Sequence, residues 1–200
     1  MTPIHRIEIF RGGEVAPWLD AVDKLRIAVF RDWPYLYEGD LEYERDYLAT
    51  YARSPGSVVA LAIDGERVVG AATGLPLADE TPAFQRPFLE RGMPLEQVFY
   101  FGESVLLPQY RGRGIGHAFF DVREARAREL GARWTAFCAV DRDADDPRRP
   151  ANQRSNDGFW ERRGYVRQPG MRMRLGWNEI GRGEAENTLT FWLRDWGSGL

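Results

Sequence analysis

The sequence predicts an α/β fold, a mixed sheet with helices on both faces. Three observations predict it. Short β-rich runs alternate with longer runs of helical period along the chain. The stretch "SVVALAIDGERVVGAATGLPL" sets two such runs around Asp64-Gly65, a strong hairpin signal. The stretch "VFYFGESVLLPQYRGRGIGHAFFDVREARAREL" passes from a strand, through a glycine-rich turn, into a helix.

In chain order, "IHRIEIF" (Ile4 to Phe10) alternates apolar and polar residues and reads as a strand. "EVAPWLDAVDKLRIAVF" reads as a helix whose start Pro17 limits, with Trp18, Leu19, Val22, Leu25, Ile27, Ala28 and Val29 towards one face. "RDWPYLYEGD" is an aromatic loop and "LEYERDYLATYA" a second, amphipathic helix. After the hairpin, "ADETPAFQRPFLERGMP" reads as a polar stretch with one helical turn. "QVFYFGESVLL" is a strand ended by Pro108. "IGHAFFDVREARAREL" is a helix, apolar at Ile115, Ala118, Phe119, Val122, Ala125 and Leu130 and stopped by Gly131. "RWTAFCAV" is a strand, Asp141 to Arg154 a charged loop, "SNDGFWERRGY" a short helix, and "MRMRLGW" and "NTLTFWLRDW" two last strands. The length of 200 residues suits one domain over residues 1–200.

Composition narrows the class. A formal net charge of −3 argues against a nucleic-acid partner. A single cysteine, Cys138, allows no intrachain disulfide, and the opening "MTPIHRIEIFRGGE" has no apolar core of a secretory signal. No apolar run is long enough to span a bilayer, so the expectation is a soluble cytoplasmic protein without a membrane partner. Two histidines and one cysteine without clustered spacing predict no metal site.

The turn "RGRGIG" (Arg111 to Gly116) points to an anion. The first N–H groups of a helix lack intrahelical partners, and the helix dipole adds positive potential there. Glycines admit close approach and positive φ, and Arg111 and Arg113 offer charge-assisted bonds to phosphate. A P-loop would end in Gly-Lys-Ser or Gly-Lys-Thr, and here the end is "GIGHA". A dinucleotide fingerprint starting at Gly112 or Gly114 would need glycine or alanine where His117 or Phe119 stands.

"VLLPQYRGRGIG" closely resembles the acetyl-CoA pyrophosphate loop of the GNAT N-acetyltransferase superfamily, Arg/Gln-x-x-Gly-x-Gly/Ala, with Arg111, Gly114 and Gly116 in the motif positions. "WTAFCAV" and "DGFWERRGYV" stand where that family has its next strand and its F-Y-x-x-x-G-F segment. The resemblance implies a mostly antiparallel sheet with two splayed central strands, and acetyl-CoA as cosubstrate. It places the pyrophosphate on the backbone of Arg111, Gly112, Arg113, Gly114, Ile115 and Gly116, with His117 also among the cofactor-binding residues. The pantetheine arm would run beside Val105 and Leu106, with Asn156 and Trp160 also against the cofactor.

Amine acetylation needs a proton acceptor, and a donor for the leaving thiolate. Glu103 is the first candidate acceptor, because many GNAT members carry a glutamate at this place on the central strand. The family's usual acidic tyrosine falls on Trp160, which has no useful acidity. Tyr100 is the replacement candidate, with Tyr35 and Tyr37 as other inward-reaching tyrosines. Cys138, inside an apolar strand, reads as an inert thiol. In this family the first two helices and their loop shape the acceptor pocket. Trp33, Tyr35, Tyr37, Glu38 and Asp40 then suit a small cationic amine. The expected activity is direct acetyl transfer to such an amine, by a monomer or homodimer. The alternative is a catalytically weak acyl-CoA sensor of the same fold.

Overall fold

The computed structural model describes residues 6–39 and 41–197, of which 41–46 by backbone alone. Among the described residues, seven strands form one sheet in the order β1-β2-β3-β4-β5-β7-β6. They are β1 (Arg6–Phe10), β2 (Val58–Asp64), β3 (Arg67–Pro76), β4 (Val98–Leu106), β5 (Trp134–Val140), β6 (Val166–Glu179) and β7 (Gly183–Asp195). Every neighbouring pair is antiparallel except β4 and β5, which run parallel. The helices are α1 (Leu19–Phe30), α2 (Leu41–Arg53), α3 (Pro82–Leu89), α4 (Ile115–Glu129) and α5 (Asp157–Arg162).

Strand alternation sorts the core onto the two faces. Leu61 and Ile63 of β2 pack with Val22 and Leu25 of α1, Tyr51 of α2, and Phe84 and Phe88 of α3. Their neighbours Ala60 and Ala62 pack on Ile115 and Phe119 of α4. Farther along that face, Phe99 and Phe101 meet Phe120 of α4, with Phe159 and Trp160 of α5 at the margin. Helices thus cover both faces, as the sequence predicts.

Strand β4 is irregular on both of its edges. It pairs with β5 only over Val98–Tyr100 against Trp134–Ala136, and beyond Tyr100 the two strands part. On its other side, Ser104 pairs with Ala72 and Phe101 with Gly74, so β4 carries one residue more than β3 between those pairs. Such a bulge re-aims side chains. Val98 and Tyr100 face the α1–α3 side, and past the bulge Glu103 faces that same side and pairs with Arg26 of α1.

Several sequence expectations need correction. The stretch after the hairpin holds a two-turn helix, α3, rather than one turn. Pro82 lies in its first turn, where the missing N–H costs nothing, and Phe84 and Phe88 give it a buried stripe that Pro87 disguises. The stretch before α1 is a 3-10 segment over Gly12–Trp18, so the α-helix begins two residues beyond Pro17. The last two strands are longer than the two quoted runs, because they form a hairpin that projects beyond its neighbours. Leu130 is exposed, and Phe120 and Ala127 take the buried face of α4. Ile4 and His5 lie outside the described residues.

Candidate active site

The strand-to-helix connection after β4 is built as an open cradle. Pro108 ends β4 in a single 3-10 turn, and Gly112 and Gly114 follow with φ of 74° and 82°. Only glycine adopts such angles without strain. A Cβ at either position would meet nothing within 4 Å, so both glycines look onto open space. Gly114 caps α4, and its carbonyl takes the first helical bond, from Ala118 N at 3.2 Å. The N–H groups of Ile115, Gly116 and His117 are therefore left for a ligand. Gly116 has room for a Cβ, with Phe159 at 3.8 Å, so its small size serves what lies outside the protein rather than packing. The loop is braced from behind. Tyr110 donates to Asp64 at 2.6 Å, Arg113 lies over the Tyr110 ring at 5.3 Å, and Arg111 Nε bonds the Leu106 carbonyl at 3.3 Å. Arg163 of the α5 C-cap reaches His117 Nδ1 at 3.2 Å, tying that helix to the cradle.

Beside the cradle, the edge of β4 towards β5 is unpaired beyond Tyr100, which includes Val105 and Leu106. An extended chain can add there as a strand does. Cradle and slot together fit a long ligand with an anionic end. Asn156 is exposed at the α5 N-cap. Trp160 packs at 5.0 Å from Phe137 and 5.1 Å from Trp192.

The other side of the slot is buried and made of side chains. Glu103 pairs with Arg26, and its second oxygen, Oε1, is buried without a partner among the described residues. Its backbone N–H bonds Thr73 Oγ1 at 3.2 Å, and its carbonyl takes Arg123 Nη1 at 3.2 Å. Arg123, fully buried on α4, lies over Phe101 and Phe120 and so props the bulge from the opposite face. The Arg26 guanidinium lies over Tyr47 at 4.6 Å and Phe30 at 5.2 Å. The Tyr47 and Tyr51 hydroxyls are 3.0 Å apart. Tyr100, the last paired residue of β4, reaches Cys138 Sγ across the fork at 3.1 Å. Burial pushes the Cys138 thiol up to about 12 and the Tyr100 phenol well above its ordinary value, so both are protonated near neutral pH.

Glu80, in the connection between β3 and α3, faces this group. It is 5% exposed. One oxygen takes the Thr81 N–H at 2.6 Å, and the other, Oε1, has no partner among the described residues. Burial, with the Glu103 charge adding to it, raises its pKa to about 7, against the Thr81 bond.

The aromatic loop closes the site from outside. Tyr35 lies between Phe30 and Trp177, with ring centroids 4.4 and 5.9 Å away. Its phenol is raised by burial and feels the charges of Arg26 and Glu103, so it reaches inward. Tyr37 is buried and bridges to Glu179 at the tip of β6. Trp33 lies 5.9 Å from the Arg142 guanidinium. Arg142 donates to the Pro34 and Tyr35 carbonyls at 2.6 and 3.0 Å and to Glu179 at 3.1 Å. Arg148 also pairs with Glu179, which is fully buried. One carboxylate thus fastens the loop, the β6 tip and the charged 141–154 connection together. Glu38 is exposed on the outer side, and Asp40 lies outside the described residues.

Of the residues expected from sequence, the structure brings Glu103, Tyr100 and Tyr35 together under the fork and sets residues 111–117 at its mouth. It adds Glu80, Arg26, Tyr47, Tyr51 and Glu179, which the sequence does not single out. Arg26 left a signal. It sits at i, i+3, i+4, i+7 with Val22, Leu25 and Val29, a charge inside an apolar stripe. Glu80 left none, because nothing in "ADETP" marks which way its carboxylate turns.

The acetyltransferase (GNAT) family matches residues 22–165. No curated protein matches the chain. Among solved structures, the ribosomal-protein-alanine N-acetyltransferase of Brucella melitensis superposes with a TM-score of 0.60 at 16% identity, covering 94% of this chain and 99% of its own. A GCN5-related N-acetyltransferase from Kribbella flavida gives 0.56 at 16%, covering 94% and 97%. A Salmonella typhimurium protein solved with its cofactor acetyl-CoA gives 0.55 at 11%, covering 98% and 96%. At these identities the structures speak for the fold alone, and the family match speaks for kinship: the chain belongs to the acetyltransferase (GNAT) family.

Proposed function

We propose that the chain, as one domain, is an acetyl-CoA-dependent N-acetyltransferase that transfers the acetyl group directly to a small cationic amine. The observation that carries this is the fork between β4 and β5, with a glycine cradle at its mouth and buried carboxylates and phenols behind it. Backbone N–H groups within residues 112–117, with the Arg111 and Arg113 side chains, hold the pyrophosphate; the Arg111 N–H itself is taken by the Pro108 carbonyl at 3.1 Å. The free edge of β4 at Val105 and Leu106 guides the pantetheine arm, with Asn156 and Trp160 beside it. The thioester then lies at the fork, where the protonated Tyr100 hydroxyl donates to the leaving sulfur. Holding both reactants in line lowers the barrier without a covalent enzyme intermediate, and the half-buried, protonated Cys138 is no nucleophile.

The amine enters from the α1–α2 side, past Trp33, Tyr35 and Tyr37, with Glu38 at the rim. A cation suits the two buried carboxylates, Glu80 and Glu103, among the aromatic rings beneath the fork. Glu103, the first candidate base by position, has its charge neutralised by Arg26. It fits a fixed electrostatic role better than that of a mobile proton acceptor.

A second reading is an acyl-CoA sensor with weak turnover, favoured by Trp160, which packs against Phe137 and Trp192 and offers no acidic hydroxyl. Free thiol release from acetyl-CoA with a panel of amines separates the two. Turnover with a cationic amine supports the enzyme. Tight CoA binding without turnover supports the sensor.

A further inference from the structure

The β3–α3 connection buries a carboxylate that the fold does not need in full. As a structural residue, Glu80 has one task, to accept the Thr81 N–H ahead of α3, and a single oxygen performs it. The connection is otherwise rigid without the second oxygen. Gln85 Nε2 bonds the carbonyls of Leu77, Ala78 and Glu80 at 3.1, 3.1 and 2.8 Å, and Ser54 Oγ donates to Asp79 at 2.5 Å. Yet Oε1 is buried with no partner among the described residues, on a side chain whose charge the group beneath the fork feels. Glu103 and Tyr100 of β4, Tyr47 and Tyr51 of α2 and Cys138 of β5 all couple electrostatically to it or to its charge. Arg26 of α1, the cation of this group, is paired with Glu103. Glu80 has no ion pair among the described residues. A buried carboxylate without a cation is costly, and so readily takes a proton.

We propose that Glu80 is the general base of acetyl transfer, receiving a proton from an acceptor that enters as its ammonium ion, while Glu103 with Arg26 is a positioning residue that holds the pocket's charge fixed. This rests on the function proposed above. Glu80 takes one proton from the ammonium. The amine nitrogen then bonds the acetyl carbon as the carbon–sulfur bond breaks, and the second proton goes to the thiolate. Glu80 returns its own proton to water, which closes the balance. A pKa of about 7 suits this task, since the best base is half ionised at the working pH.

The test measures free thiol released from acetyl-CoA with spermidine and with tyramine, from about pH 6 to about pH 10, for wild type, Glu80→Gln and Glu103→Gln. At neutral pH Glu80→Gln is expected to lower kcat by ~100-fold or more. Its KM for acetyl-CoA should stay within about two-fold, since a base acts on turnover rather than cofactor binding. The deficit should shrink as pH approaches the amine's own pKa of about 10, because a neutral amine needs no base. Glu103→Gln should show a deficit that does not change with pH. A pH-independent deficit in Glu80→Gln, or a converging one in Glu103→Gln, overturns the assignment. Gln keeps an oxygen for the Thr81 N–H, so the variant is expected to fold. Glu80→Asp provides the second check, keeping the shape of the wild-type pH profile at reduced kcat, and a flat profile there also overturns it. If wild type acetylates neither these amines nor any other, the function proposed above fails and this inference falls with it. If wild type acetylates an amine without the predicted pH pattern, only the base assignment fails.

Discussion

The two sides of the β4–β5 fork are built by opposite means. The cradle side is backbone: glycines at positive φ, free N–H groups at the start of α4, and an unpaired strand edge. The opposite side, proposed above to receive the acceptor and called the acceptor side, is side chain: Arg26, Tyr47, Tyr51, Glu80, Tyr100 and Glu103, drawn from α1, α2, the β3–α3 connection and β4. A backbone site tolerates a varied surface but fixes its glycines. A side-chain site fixes charge and proton position, and can be rebuilt for another acceptor without touching the cradle. Changes on the cradle side should therefore alter acetyl-CoA affinity and spare the fold. Changes on the acceptor side should alter turnover and stability together.

The largest effect should come from Glu179, which fastens the acceptor side from outside. Glu179→Ala leaves Arg142 and Arg148 without their shared carboxylate. Removing one partner of a buried pair typically costs on the order of 4 kcal/mol. Urea unfolding should show the loss, and the acceptor KM should rise while the acetyl-CoA KM holds. Equal rises in both would break the separation between the two sides.

Glu80 gives the next effect, read from pH alone. Its folded pKa of about 7 lies above its ordinary value, so the folded state binds more protons than the unfolded one. Its contribution is fully present below about pH 4.5 and is lost as pH rises through about 7. By about pH 8 the wild type should be less stable than at low pH by on the order of 3 kcal/mol from this group. Glu80→Gln lacks that slope, so the stability difference between variant and wild type should move in the variant's favour across this window. Parallel curves would mean that Glu80 is ionised throughout.

On the cradle side, Gly114→Val should remove acetyl-CoA binding. At a ligand concentration of 100 Kd, wild type gains about 2.7 kcal/mol, seen as a rise in Tm. The variant should gain none and still melt cooperatively. A retained shift would mean that the cradle is not the cofactor site.

The same contrast explains what the sequence disclosed. The cradle was legible because its chemistry lies in one short run, where glycine spacing is itself the mechanism. The hairpin and α4 were legible because period and turn residues are local. The other side was legible only in Glu103, Tyr100 and Tyr35, and not in Glu80 or Arg26. Glu80 and Glu103 lie on different elements, and their meeting depends on a bulge that no local pattern announces. Helix α3 was hidden by Pro82 and Pro87, one of which starts the helix while the other is of a type that ordinarily breaks one. Glu38 and Asp40 drew the acceptor reading, yet Glu38 faces water, and the carboxylates buried beneath the fork are Glu80 and Glu103.

The two sides meet at Gly102, and the smallest predicted effect tests that junction. Gly102 sits in the bulge that turns Glu103 towards Arg26. A Cβ there would overlap the Tyr51 hydroxyl and lie 2.7 Å from Thr73 Oγ1. Neither neighbour is free to give. Tyr51 is fully buried with its hydroxyl 3.0 Å from that of Tyr47, and Thr73 Oγ1 accepts the Glu103 N–H. Gly102→Ala must therefore push the Tyr51 ring or flatten the bulge, and overpacking of this kind costs about 2 kcal/mol. A shift of Glu103 by even ~1 Å should lower kcat by up to ~100-fold, because the reactants lose their alignment. Tyr51→Phe removes the atom that the new methyl strikes. The double variant should then be more stable than the sum of the two single losses, a coupling measurable by a double-mutant cycle. Additive losses would show that the bulge, and not the tyrosine, absorbs the methyl, and the pose of Glu103 would then be set by the strand backbone as the cradle is.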